Sequence, residues 1–230
     1  MRDRPQAVML FAAGFGTRMG ALTADRPKPL VQVSGQALID HALALVGAAG
    51  ISRKVANLHY RAEMLEAHLA GSDVQISVET PDILETGGGL RQAMPLLGEG
   101  PVFTLNTDAI WKGPNPLSLA LQAWDPARMD ALLVCISPDM AVGHSGNGDF
   151  VLDAAGRLSR GPGWIYGGAQ IIRTDGLQDI PDRAFSLNLL WDRMQEKGRL
   201  YGLRYPGQWC DVGRPEGIAL AERLLGQPDV

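Results

Sequence analysis

Ala7-Val8-Met9-Leu10-Phe11-Ala12-Ala13-Gly14-Phe15-Gly16-Thr17-Arg18-Met19 is the stretch that decides the fold. Residues 7–13 are a short apolar run ending in glycine, the pattern of a strand buried on both faces of a parallel sheet. Small residues at Ala12, Ala13, Gly14 and Gly16 let a ligand approach the backbone closely. Successive exposed N–H groups in such a loop form an anion cradle. Arg18 supplies a planar fork of donors for phosphate oxygens. The spacing is not that of a dinucleotide fingerprint, whose third glycine would fall at Met19. Nor is it a Walker loop, because no Gly-Lys-Ser/Thr follows.

Working outward, Pro27-Lys28-Pro29-Leu30 places a point charge, Lys28, between two prolines that stiffen the chain around it. Beyond it, strand-like runs at 54–58, 74–78, 102–105 and 131–136 alternate with helical patterns at 37–49, 62–69, 90–97 and 117–124. The last turn of the 90–97 helix is expected to break at Pro95 or to cap near Gly98. Such alternation implies crossover connections: an α/β, Rossmann-like fold with a mostly parallel mixed sheet and helices on both faces. From Gly143 the pattern changes to glycine-rich turns and short strands at 149–152, 157–159 and 164–172. A helix at 187–196, a strand at 200–204 and a helix at 215–225 follow. The spacing predicts a small antiparallel addition and one domain over residues 1–230.

Composition narrows the function. The chain has 230 residues, of which 46% are hydrophobic and 20% charged, so it can build a core and is not a disordered class. A formal charge of −4 with no basic stripe argues against nucleic acid as partner. Residues 7–13 are too short to span a membrane, and a cytoplasmic protein is expected. Cys135 and Cys210 lack metal-ligand spacing, and two cysteines make no disulfide framework. The four histidines are scattered and require no functional role.

Ligands of open α/β sheets bind beyond the carboxyl ends of the strands, which points to the loops after Ala13 and Leu105. Asp108, in Leu105-Asn106-Thr107-Asp108, is placed there as a turn residue or a metal ligand. Asp211, in Trp209-Cys210-Asp211-Val212-Gly213, follows an apolar run and precedes a helix. A second glycine run, Leu84-Glu85-Thr86-Gly87-Gly88-Gly89-Leu90, sits at a helix start, where backbone groups suit an anion or a polar base edge. Asn57, ending a strand, contacts a ligand or caps the next helix.

Together, Ala12-Ala13-Gly14-x-Gly16-Thr17-Arg18-Met19 and Pro27-Lys28-Pro29-Leu30 resemble the signature of the sugar-nucleotide pyrophosphorylase (sugar-phosphate nucleotidyltransferase) family. Phe11 stands where that family usually has Leu, and Gly20-Ala21-Leu22-Thr23 replaces x-Pro-Leu-Thr. The resemblance implies that the loop wraps NTP phosphates, with Arg18 and Lys28 carrying the catalytic charge. It implies magnesium held by Asp108 and Asp211, although Thr107 replaces the usual glycine of Asn-Gly-Asp and adds bulk. It also implies that Thr86, Gly87 and Gly88 help hold the nucleobase, that Asn57, Asp149 and Gly168 lie on the sugar-phosphate side, and that the small antiparallel addition stands on this acceptor side. The runs Glu85–Gly89 and Gly148-Asp149-Phe150 resemble in particular the bacterial N-acetylmuramate-1-phosphate uridylyltransferases of peptidoglycan recycling. The expected partners are an NTP and a sugar 1-phosphate, handled by a monomer or small homo-oligomer. Within the same chemistry, mannose-1-phosphate guanylyl- and glucose-1-phosphate thymidylyl- or uridylyltransfer are the alternatives. A non-catalytic nucleotide or sugar-phosphate sensor is the alternative outside it.

Overall fold

A computed structural model describes residues 3–227. Seven strands form the central sheet: β1 (Ala7–Phe11), β2 (Arg53–Leu58), β3 (Val74–Val78), β4 (Val102–Asn106), β5 (Ala131–Ile136), β6 (Ile165–Ile172) and β7 (Leu200–Arg204). Their spatial order is β7-β5-β6-β4-β1-β2-β3. Neighbours run parallel except β6, which lies antiparallel between β4 and β5. The helices are α1 (Leu38–Ala48), α2 (Ala62–Leu69), α3 (Glu85–Leu97), α4 (Pro116–Ala123), α5 (Asn188–Glu196) and α6 (Pro215–Gly226).

Period-two alternation along β1 explains why it sits at the centre. Val8 and Leu10 join one apolar cluster with Ile39, Val46, Leu65 and Leu117 of α1, α2 and α4. Ala7 and Met9 join the opposite cluster with Leu90, Leu97, Trp191 and Met194 of α3 and α5. Both faces are therefore covered, as the continuous apolar run requires. Fully burying each such large side chain contributes about 1.5–3 kcal/mol, so the sheet is a rigid platform for the loops at its edge.

The structure differs from the sequence expectation in two places. Helix α3 begins at Glu85 and takes in all three glycines, although each costs about 1 kcal/mol of helix propensity relative to alanine. Tertiary packing overrides that cost. A Cβ at Gly87 would lie 2.3 Å from the Phe185 ring, and one at Gly88 2.4 Å from the Arg183 carbonyl oxygen. The helix passes through Pro95 and stops at Gly98, whose φ is +82°. The antiparallel part is also not confined to an addition. Its long strand, β6, enters the central sheet, while a hairpin of Phe150–Leu152 and Leu158–Arg160 stands beside it. A register shift between Tyr166 and Gln170 lets β6 bend at Gly167 and Gly168.

Candidate active site

The carboxyl ends of β1, β2 and β4 lie side by side, because Phe11 pairs with both Asn57 and Asn106. Beyond them opens a cleft of about 290 Å³, lined by residues 11–14, 16–18, Lys28, Pro29, Asn57, Thr86, 106–108 and Gly213, among others. The cleft opens at the loops after Ala13 and Leu105, where the strand-end rule pointed.

Gly14 faces open space: a Cβ there would meet nothing within 4 Å. Gly16 is required for a different reason. Its φ is +64°, and a Cβ would lie 2.9 Å from the Cβ of Lys28. The loop thus folds down onto Lys28, and the Thr23 hydroxyl fixes the turn by donating to the Gly16 carbonyl at 2.9 Å. The Phe15 ring at the loop tip rests edge-on against His59, 5.3 Å between centroids. Among the described residues the amides of Ala13 and Gly14 have no internal acceptor, as an anion cradle needs. The amide of Ala12 does not join them, because it donates to Asn57 Oδ1 at 2.8 Å.

Asp108 and Asp211 are brought together by two four-residue strands that the strand pattern of the sequence did not include. Ala109–Lys112 pairs antiparallel with Gln208–Asp211, so that Asp211 faces Ala109. The Val212 amide donates to the Asp108 carbonyl at 3.0 Å and closes the junction. The Trp209 indole donates to the Gly167 carbonyl at 2.9 Å, tying this ribbon to the bend in β6. Thr107 lines the cleft and is tied back to the sheet. Its hydroxyl donates to the Phe11 carbonyl at 2.8 Å and locks the turn before Asp108 onto β1. A Cβ at Gly213 would lie 2.8 and 2.9 Å from the Asp211 oxygens and 3.2 Å from Arg18 Nη2. Glycine there leaves room for Arg18 and Asp211, which together border the pocket adjoining the cleft.

Lys28 Nζ lies 2.7 Å from Asp108 Oδ2, a partly buried ion pair. Burial raises the Asp211 carboxyl above its ordinary value of 3.8, and the Asp108 charge raises it further. Lys28, Arg18 and His144 oppose the shift. Two carboxylates that repel, Asp108 in the cleft and Asp211 in the adjoining pocket, with two cations beside them, suit a divalent cation. Among the described residues no group of three or more His, Cys, Asp or Glu side chains could hold a metal. Magnesium fits that donor set, since it takes one or two carboxylates and completes its shell with phosphate oxygens and water.

The remaining sequence candidates divide. Thr86 lines the cleft, but its Oγ1 accepts from the Leu187 amide at 2.9 Å. The amides of Gly87 and Gly88 donate to the Phe185 carbonyl at 2.8 and 3.1 Å, so they hold the 183–187 segment rather than facing the cleft. Asn57 is 3% exposed, with its amide engaged by Ala12 and Glu79. Gly168 has φ +87°, and a Cβ there would lie 2.8 Å from Asn106, beside the cleft. Asp149 accepts from the Tyr166 amide at 2.9 Å. Arg160 pairs with Asp192 at 2.9 Å and lies over the Phe150 ring. Arg183 donates to the Thr80 carbonyl, on the α3 side. Sequence reading placed Gly213 at the end of the Asp211 motif but not against Asp211 and Arg18; His144, which acts on the Asp211 charge, is marked by no motif.

The chain is similar to known proteins in sequence and in fold. The chain is 41% identical to an N-acetylmuramate alpha-1-phosphate uridylyltransferase of Caulobacter vibrioides, covering 99% of this chain and 100% of the relative. It is 30% identical to the Neisseria meningitidis enzyme of the same name, over 95% and 97%. A mannose-1-phosphate guanyltransferase of Gibberella zeae is 28% identical, over 90% and 61%. In fold, the crystal structure of HddC from Yersinia pseudotuberculosis complexed with GMP-PN superposes with a TM-score of 0.78 at 22% identity, covering 95% and 98%. Residues 8–146, from β1 past the Asp108 turn and β5, match the model of the MobA-like NTP transferase domain. With glycine loop, Lys28 and Asp108 all inside that matched region, the chain belongs to the MobA-like NTP transferase family.

Proposed function

We propose that this nucleotidyltransferase transfers a uridylyl group from UTP to N-acetylmuramic acid 1-phosphate, with magnesium as cofactor, giving a UDP-sugar and pyrophosphate. One observation carries the reading: Arg18, Lys28 and Asp108, separated in sequence, line one cleft beside an open glycine loop, and Asp211 lines the adjoining pocket that Arg18 also borders, close enough for Asp108, Lys28 and Arg18 to act on its charge. The 41% identity to a uridylyltransferase over nearly the whole chain supports the choice of substrates.

In this reaction a phosphate oxygen of the acceptor forms a bond to the α-phosphorus of UTP. The bond from that phosphorus to the bridging β-phosphate oxygen breaks, and pyrophosphate carries away the electron pair. An acceptor phosphate is ionised near neutral pH, so no general base is needed. The chain's part is positioning and charge. The amides of Ala13 and Gly14 and the Arg18 fork hold the phosphates, and Lys28 exchanges its carboxylate partner for phosphate oxygens. Asp108 and Asp211 would hold magnesium, which when bound supplies positive charge to the reacting phosphates. Gly168 and Asp149 lie on the acceptor side.

No helix among the described residues is long and apolar enough to cross a membrane, which suits our assignment of the enzyme to the cytoplasm and to nucleotide-sugar supply for the cell wall. The test is pyrophosphate release with N-acetylmuramic acid 1-phosphate, N-acetylglucosamine 1-phosphate and mannose 1-phosphate, each with UTP and GTP. The muramic acid substrate with UTP is expected to give the highest kcat/KM. A tenfold or greater preference for mannose 1-phosphate with GTP, roughly 1.4 kcal/mol, would overturn the substrates and leave the chemistry standing.

A further inference from the structure

Behind the cleft runs a buried chain of hydrogen bonds with a fixed direction. The Ala12 amide, at the start of the glycine loop, donates to Asn57 Oδ1 at 2.8 Å. Asn57 Nδ2 donates to Glu79 Oε1 at 2.6 Å. The Leu84 amide, at the N-cap of α3, donates to Glu79 Oε2 at 2.7 Å. Glu79 is 1% exposed and lies just beyond β3. Its two oxygens therefore serve one donor from each wall of the cleft. Gly89 makes room for the junction: a Cβ there would lie 2.4 Å from Glu79 Oε1 and 2.9 Å from Asn57 Nδ2. The residue types at 57, 79 and 89 are all explained by this one arrangement.

We propose that Glu79 is a positioning residue for nucleotide binding: through Asn57 and the Leu84 amide it sets the separation of the glycine loop from the start of α3. The proposal rests on the reading of the cleft as a UTP site. Its logic is directional. Buried donors left without acceptors are costly, so each member of the chain dictates the orientation of the next. Glu79 can serve both sides because both of its oxygens accept. Glu79→Gln keeps the size but offers one acceptor and one donor to two donors. Either the Leu84 amide or Asn57 Nδ2 then faces an N–H. Turning the Asn57 amide over only hands the mismatch to Ala12. One of the two walls must shift.

The same logic predicts a rescue. In the double variant Glu79→Gln with Asn57→Asp, the acceptor-only group moves to position 57. There it accepts from Ala12 and from the new amide at 79, whose oxygen accepts from Leu84. Every donor regains an acceptor, and the number of buried carboxylates is unchanged.

The experiment measures UTP affinity by calorimetry in magnesium buffer without acceptor, and KM and kcat by pyrophosphate release. Glu79→Gln is expected to raise the Kd and KM for UTP at least tenfold while kcat at saturating UTP changes less than threefold. The double variant is expected to bind UTP at least threefold more tightly than Glu79→Gln, short of wild type because position 57 lines the cleft and its new carboxylate faces the phosphates. A residue that merely supports the fold would lower the melting temperature without this split or this rescue. UTP affinity within twofold of wild type in Glu79→Gln overturns the proposal, as does a double variant no better than the single one. If Glu79→Gln does not fold, Gly89→Ala replaces it. That variant keeps every hydrogen-bonding group and displaces the junction, so unchanged UTP affinity in it also overturns the proposal. A wild-type protein that neither binds UTP nor releases pyrophosphate overturns the function itself. A wild type that does both, with unaffected variants, overturns only the role of Glu79.

Discussion

At Asp211 the proposed function and stability pull in opposite directions within a single side chain. Burial and the Asp108 charge raise its carboxyl above the ordinary value of 3.8. The ionised form therefore destabilises the metal-free fold. That penalty is complete above the raised value, shrinks as pH falls through it, and is gone below 3.8. Asp211→Asn should cut turnover by at least about a hundredfold, through loss of transition-state charge stabilisation. Without metal at pH 7, however, it should melt higher than wild type, on the order of 2 °C. The difference should disappear on acidification toward the ordinary carboxylate value. Thermal melts in chelator across that range, alongside pyrophosphate assays, check both halves. A variant that loses stability at pH 7 would contradict the account. Each aspartate was legible in the sequence as part of a motif, and the family resemblance implied that they converge. The residues by themselves did not show it, because it depends on the four-residue strands Ala109–Lys112 and Gln208–Asp211, too short to carry a pattern.

Elements explain why two glycine runs that look alike in sequence do different work. Gly14 faces the open cleft, whereas Gly87 is packed inside α3 against Phe185. Gly14→Ala should therefore leave stability within about 0.5 kcal/mol while weakening UTP binding. Gly87→Ala should cost about 1–3 kcal/mol through overpacking. Urea denaturation separates the two, and equal destabilisation would contradict this division. Sequence alone assigned both runs to nucleotide contact, since a glycine needed for approach by a ligand and one needed for approach by a neighbouring chain leave the same mark. The cysteines follow from their elements as well. Cys135 lies within β5, where burial pushes its thiol up to about 12. Cys210 precedes Asp211, and burial followed by the Asp211 charge pushes it up to about 11. Neither should react with a thiol reagent at neutral pH in the folded protein, and both should react after denaturation. Labelling of either in the native state would show that its strand opens.

Across the whole molecule, function follows from a sheet that brings three strand ends into register and a C-terminal ribbon that returns to them. The alternation of strands and helices made the parallel half readable, and the strand-end rule located the cleft. The insertion of β6 between β4 and β5 was not readable, because an apolar run carries no direction. Yet that insertion carries Gly168 to the side of Asn106 and gives Trp209 the Gly167 carbonyl that anchors the Asp211 ribbon. The account's central claim is that this cleft holds UTP so that its α-phosphorus is passed to a sugar phosphate. The most direct measurement follows isotope from UTP labelled at the α-phosphate, with N-acetylmuramic acid 1-phosphate and magnesium present. The label is predicted to appear in a UDP-sugar, in step with pyrophosphate release and only when the acceptor is present. Label recovered as UMP or UDP without a nucleotide sugar, or no turnover of UTP at all, would contradict it.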